Sequence, residues 1–221
     1  MVTQFIQIPR KFLEMDKGTK FVDVLVYAAL DNQKDNETYR SRIGMRTIAE
    51  KYNIPLSKVE DAIKRLKESG YIDYTQHTSP NNAEYKYNEY SFPLLKDGKM
   101  KDGFLMLKPE LLTEPLKPKD RGVLIYLQLI ALPNMVDIME TKMEDIAQRL
   151  KITRQTASKY IKYFLDGNYL TKGKVSYKSH YLANKDVPVM PDAPEELYII
   201  LWLEKSFMKC TRQTVGYQTR N

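Results

Sequence analysis

Apolar residues in this chain recur at two periods, and the two periods alternate. In "KVEDAIKRLKESG" Val59, Ile63 and Leu66 stand at i, i+4 and i+7, and in "RQTASKYIKYFLDGN" Ala157, Ile161 and Phe164 repeat that spacing. Each set makes one apolar stripe along a helix, predicted over 57–69 and 154–166. After each helix the period falls to two. In "KVSYKSHYL" (174–182) Val175, Tyr177, Ser179 and Tyr181 share one face, and Lys174, Ser176, Lys178 and His180 the other. That alternation is a strand signal. "YIDYTQ" and "EYKYNEYSF" read as paired strands across the turn "SPNN" at 79–82.

The pattern occurs twice because the chain contains a repeat. "FIQIPRKFL" (5–13) aligns with "FLMLKPELL" (104–112), and "VLVYAAL" (24–30) with "VLIYLQL" (123–129), both at an offset of 99. "TIAEKYNIPLSKVEDAIKRLKESGYI" (47–72) aligns with "DIAQRLKITRQTASKYIKYFLDGNYL" (145–170) at 98. Three blocks in one order at a nearly constant offset indicate a duplicated unit. Each unit begins with a short extended piece and an apolar-rich helix, 18–31 or 118–132. A polar loop with a short strand follows ("ETYR", "VDIME"), then helices at 45–52 or 142–150 and at 57–69 or 154–166. "SKVE" and "TKME" read as capping boxes with Ser57 and Thr141 as N-caps, Thr153 as the N-cap of the last helix, and Gly70 as a C-cap.

Helix, helix, helix and hairpin is the winged helix-turn-helix arrangement. The expected fold is α+β, mainly α with small β-hairpin wings: a first domain at 1–93, a polar linker at 94–103 and a second domain at 104–185. Residues 186–221 hold a Pro-rich connector ("VPVMPDAP"), a helix around Leu197, Ile200, Leu201, Trp202 and Leu203, and a tail without acids.

Charge then separates the two repeats. The 221 residues carry a net charge of +7. Residues 1–99 hold 16 basic and 14 acidic side chains, whereas 141–185 hold 10 and 3, so the excess gathers on the second repeat. A local positive field of this kind raises encounter with polyanions. The N-terminal "MVTQFIQIPR" has no apolar signal core and no run is long enough to span a bilayer, so a cytoplasmic protein without membrane contact is expected. The single cysteine, Cys210, agrees with a reducing compartment.

In a helix-turn-helix the second helix enters the DNA major groove with its N-terminal residues at base edges. Arginine can fork onto guanine O6 and N7, and glutamine onto adenine N6 and N7. Arg154 and Gln155 open the helix of the second repeat, followed by Thr156, Ser158 and Lys159, while Lys162 is placed for a phosphate. Lys172, Lys174, Lys178 and His180 lie on or beside the expected second wing, where they either touch the DNA backbone or guard a strand edge. The first repeat offers Lys58, Lys64 and Arg65, interrupted by Glu60, Asp61 and Glu68; Arg40, Arg42 and Arg46 are alternative phosphate contacts. Tyr71, Tyr74, Tyr85, Tyr87 and Tyr90 crowd the first hairpin, able to stack unpaired bases or to pack across strands.

Enzymatic readings find no residues. Two histidines and one distant cysteine give no metal-ligand spacing, and "GNYLTKGKV" departs from a phosphate loop in glycine spacing and in the residue after the lysine. No nucleophile–base set can be placed, and no cofactor is expected.

"FIQIPRKFLEMD", "VLVYAAL" and "MRTIAEKYNIPLSKVEDAIKRLKESGYIDY" together resemble the winged-helix domain of bacterial plasmid replication initiators and phage replisome organisers. Those proteins often begin with a Tyr/Phe-x-x-Ile-Pro strand, then a Leu/Tyr-rich helix and an Ile-Ala-x-x-Leu helix-turn-helix. The two-repeat plan over about 1–185 is similar to theta-type plasmid initiators with two winged helices. The resemblance implies double-stranded DNA binding at repeated origin sites, with host helicase or replication proteins as partners; the acids on the first repeat's helix leave dimerisation as its alternative role, with a homodimer as one form. A transcriptional regulator and a protein-interaction module remain the alternative readings.

Overall fold

The computed structural model describes residues 5–14, 18–79, 82–96, 99–100, 103–107, 109–131, 143–167, 169–172 and 198–199. Over these the protein is α+β, with six α-helices and small antiparallel sheets. No helix among the described residues is long and apolar enough to cross a membrane. The chain divides into two compact units, Met1–Leu129 and Ile130–Asn221.

The first unit runs β1 (Ile6–Pro9), a 3₁₀ turn (Arg10–Glu14), α1 (Phe21–Asp31), β2 (Ser41–Ile43), α2 (Met45–Lys51), α3 (Leu56–Glu68), β3 (Asp73–Ser79) and β4 (Asn82–Ser91). Then come the two-residue strands β5 (Leu95–Lys96) and β6 (Lys99–Met100), β7 (Phe104–Leu107), a second 3₁₀ turn (Pro109–Thr113) and α4 (Pro118–Ala131), whose last two residues fall in the second unit. The second unit continues with α5 (Met143–Arg149), α6 (Arg154–Asp166), β8 (Thr171–Lys172) and β9 (Tyr198–Ile199).

α1 is the centre of the first unit. Val24 through Leu30 are without exposure, because this helix is apolar on nearly every side and must be covered all round. Its two aspartates are buried with it, and each has partners. Asp31 accepts from Lys34 Nζ at 2.6 Å and from the Gln7 amide at 2.8 Å; burial pushes its carboxyl up, although Lys34 opposes the shift. Asp23 accepts from the Lys20 amide at 2.7 Å, closing the first turn of α1, and from Arg65 on α3. Around the helix Phe12 stacks on Tyr71 at 4.1 Å and meets Tyr27 edge-on at 5.3 Å. β2, β4 and β3 form one antiparallel sheet in that order, with Tyr90, Ser41 and Ile43 turned to the core.

The two repeats meet inside the first unit. β1 pairs antiparallel with β7, Ile6 opposite Leu107 and Ile8 opposite Leu105. The repeat alignment equates Ile6 with Leu105 and Ile8 with Leu107, so each residue faces the counterpart of its strand neighbour. The register is symmetric about Gln7 and Met106, as at an isologous two-fold contact. α1 and α4 also approach closely. A Cβ built at Gly122 would collide with the Phe21 carbonyl, and Phe21 stands edge-on to Tyr126 at 5.3 Å. Arg121, buried beside it, donates to the Leu112 carbonyl and, at 2.6 Å, to that of Tyr52 at the C-terminus of α2. Its positive charge lies where the α2 dipole is negative.

The repeat boundary expected at 94–103 and the packing boundary after Leu129 are therefore different divisions. β7 and most of α4 belong to the second repeat by sequence and to the first unit by contact. The expected linker carries the β5–β6 pair. The α3 start also differs from the expected one: Pro55, not Ser57, is the N-cap, and Lys58 and Val59 donate to the Pro55 carbonyl at 2.8 and 3.1 Å. Ser57 lies inside the first turn. The strand expected at "ETYR" is β2, one residue beyond it, because Asp35 Oδ1 accepts from the amides of Glu37 and Thr38 and holds that stretch in a turn. At the C-terminal end Tyr198–Ile199 is strand, paired with Thr171–Lys172, where a helix is expected. In the apolar run "LYIILWL" the period does not separate helix from strand, and the pairing with β8 is what makes Tyr198–Ile199 a strand. "VDIME", Thr141, 173–185, the connector 187–194 and the tail lie outside the described residues.

Candidate nucleic-acid interface

Each repeat contains a helix pair, α2–α3 and α5–α6, joined by a tight turn, and the two turns have the same backbone. Asn53 and Lys151, at equivalent positions, take left-handed φ values of 47° and 52°. Ile54 N–H donates to Ala49 O at 2.9 Å, and Ile152 N–H to Ala147 O at 3.0 Å. At the far end Tyr71 N–H donates to Leu66 O at 2.9 Å and Tyr169 N–H to Phe164 O at 2.8 Å, the long bond of a Schellman C-cap. In the first repeat Gly70 (φ 71°) follows the C-cap Ser69 and supplies the left-handed residue that closes it.

The apolar stripes hold the helices by their inner faces. Val59, Ile63 and Leu66 are buried on α3, and Ala157, Ile161 and Phe164 on α6. What remains outside on α6 is Arg154, Gln155, Ser158, Lys159 and Lys162, all exposed, together with exposed Tyr163 and with no acid before Asp166. Met143, Arg154, Gln155, Ser158 and Lys159 line one shallow open groove. The helix start is fixed by Thr153, whose Oγ1 accepts from the Thr156 amide at 3.2 Å and lies 2.8 Å from the Thr156 hydroxyl. Thr156 is half-buried and belongs to this cap more than to the outer face. Arg154 Nε lies 2.7 Å from Glu144 Oε1 on α5, an ion pair with both side chains mostly in solvent.

On α3 the same outward positions carry a different chemistry. Lys58 and Lys64 are exposed, as is Arg46 on α2, but Glu60 and Asp61 are exposed among them. Arg65 does not join that surface. Its guanidinium lies on the buried Asp23, Nε to Oδ2 at 2.9 Å and Nη2 to Oδ1 at 2.6 Å, and only 19% of the side chain is exposed. The bond to Asp23 raises the Arg65 pKa further. The expectation that Arg65 faces DNA is corrected on this ground: its donors tie α3 to α1.

Arg40 and Arg42, expected around α2, stand before and within β2, and both donate to Glu89 on β4. Glu89 is thereby held below the ordinary carboxylate range, by Arg40 first and Arg42 second. The side chain of Tyr85 lies outside the described residues, and the other four tyrosines of the first hairpin pack on neighbours. Tyr71 and Tyr90 are buried, Tyr74 leans on Tyr90 at 5.7 Å, and Tyr87 stacks on His77 at 5.4 Å. The side chain of Lys172, and Lys174, Lys178 and His180 entirely, lie outside the described residues.

Residue patterns alone missed two partners. Glu144 read only as the acid of a capping box, and no pattern singled out Asp23. The repeat alignment held the signal for both: Glu144 and Arg154 correspond to Arg46 and Leu56, and Asp23 and Arg65 to Gly122 and Tyr163. A charge pair present in one copy and absent from the other marks an interaction private to that copy. No family model matches the chain, and no curated protein matches it.

Proposed function

We propose that the chain is a sequence-specific duplex DNA-binding protein of two tandem winged-helix units, with α6 as the recognition helix. The observation that carries this reading is the outer face of α6. Five exposed donors or donor–acceptors, Arg154, Gln155, Ser158, Lys159 and Lys162, stand on a helix whose inner face is anchored by Ala157, Ile161 and Phe164. A surface needed only for solubility has no reason to exclude acids over three turns. A surface that approaches phosphates does, since each carboxylate there repels the backbone. Arg154 and Gln155 occupy the first turn, where a recognition helix meets base edges. Lys162 sits farther along, for a phosphate.

Within DNA binding, the resemblance to plasmid and phage replication proteins favours an initiator acting at repeated origin sites and recruiting host replication proteins. Nuclease protection of the gene's own neighbourhood by the purified full chain tests both levels. Protection of direct repeats supports an initiator, and of a promoter palindrome a regulator. Affinity should fall about 10³–10⁵-fold between 50 and 200 mM salt if six to ten phosphates are contacted. No protection and a flat salt response would refute DNA binding and leave the interaction-module reading.

A further inference from the structure

We infer that Glu144 is a positioning residue for Arg154, and that the pair is built to read a base with two adjacent acceptors, a guanine edge, in preference to phosphate. The inference rests on the reading of α6 as the recognition helix. Glu144 is the second residue of α5 and Arg154 the first of α6. They meet at 2.7 Å beside the groove lined by Met143, Gln155, Ser158 and Lys159. Their side chains are 59% and 72% exposed, and an ion pair in that much water adds little to folding.

Its geometry does more than its energy. A guanidinium carries five N–H donors in one plane. The carboxylate sits 2.7 Å from Nε and draws that edge of the guanidinium toward α5, while the two terminal nitrogens carry the other four donors. Those are the nitrogens that fork onto guanine O6 and N7. The carboxylate also offsets the charge of Arg154 toward phosphates, which are present at every sequence. Glu144 thus favours the cognate site twice, by orienting the fork and by weakening sequence-blind attraction. The first repeat has Arg46 and Leu56 at these positions, so it cannot form the pair, and Leu56 is an exposed apolar residue there.

The test uses the full chain and two probes: a duplex enriched by the wild-type protein from a random-sequence pool, and a scrambled duplex of the same composition. Glu144→Ala is expected to bind the scrambled duplex more tightly and the enriched one more weakly, so that the preference falls about tenfold. Its salt slope on the scrambled duplex should steepen by about one unit. Glu144→Gln keeps an oxygen for Nε without the charge. It should retain most of the affinity for the enriched site while also gaining on the scrambled one. Adding Glu144→Ala to Arg154→Ala should change the preference no further, because the carboxylate acts through the arginine. If Glu144→Ala shifts both duplexes by the same factor, the carboxylate sets only the local field and the inference fails alone. If the wild-type chain enriches no sequence, the recognition-helix reading fails and takes the inference with it.

Discussion

The helix pairs α2–α3 and α5–α6 have the same turn, a left-handed residue at the same place and the same closing hydrogen bonds, yet they present opposite surfaces. Where α6 has Ser158 and Lys159, α3 has Glu60 and Asp61; where α6 opens on Arg154, α3 opens on Leu56. The inward side differs as well. Arg65 of α3 clasps Asp23 of α1, whereas the equivalent residues, Tyr163 and Gly122, can form no ion pair. Gly122 serves a different contact, the close passage of α4 past Phe21. A duplicated backbone geometry has thus been kept while the side chains were divided between two tasks. The first copy is knit into its unit, and the second leaves its cationic face open.

The largest effect that can break this comparison is on stability. Arg65→Ala strands the buried Asp23 without its guanidinium and should destabilise the first unit by about 3–5 kcal/mol. Tyr163→Ala, at the equivalent but 45% exposed position, should stay within about 1 kcal/mol. Hydrogen exchange of the α1 and α3 amides, against those of α5 and α6, reads the two separately. Equal losses would mean that the Asp23 clasp is not what distinguishes the copies.

Binding comes next. Arg154→Ala or Gln155→Ala should cost about 1–3 kcal/mol on a cognate duplex and less on random DNA. Leu56→Ala and Ser57→Ala should leave the cognate affinity unchanged in a titration at fixed salt. The reverse outcome would move the recognition helix to the first repeat.

Helix starts give a smaller contrast. Thr153→Ala removes a side-chain cap and should lower the stability of α6 by about 1 kcal/mol, read as faster exchange of its first-turn amides. Ser57→Ala should change α3 hardly at all, since α3 has no side-chain cap bond at its N-cap. The smallest difference lies in the turns. Lys151→Gly relieves a left-handed lysine and should gain roughly 0.5 kcal/mol after the added chain entropy is offset. Asn53→Gly should gain less, with both read as midpoint shifts in urea denaturation, because asparagine tolerates that conformation.

Most helices were legible because their evidence is local. A stripe at i, i+4 and i+7 names both the element and its inner face, and Val59, Ile63, Leu66, Ala157, Ile161 and Phe164 are all buried. The α3 start was misread for a local reason too. "SKVE" satisfies the capping-box pattern, but left-handed Asn53 turns the chain into the helix two residues earlier; the alignment of Pro55 with Thr153 carried that information. Partners far apart in the chain were not legible. Arg65 and Asp23 are 42 positions apart, and Arg40 and Glu89 are 49 apart, so no window over neighbouring residues can join them. The open face of α6 needed only composition and helical phase; the carboxylate holding its first arginine needed the fold.

The symmetric register of β1 on β7 has one more consequence. Two identical strands on separate molecules could make the same ladder, but its population would rise and fall with protein concentration. Within one chain the partners cannot dilute away from each other: the folded segment from Arg10 to Gly103 joins them, so their meeting does not depend on protein concentration. The pairing of the two repeats is therefore a unimolecular property of each chain, complete in a solution holding a single copy.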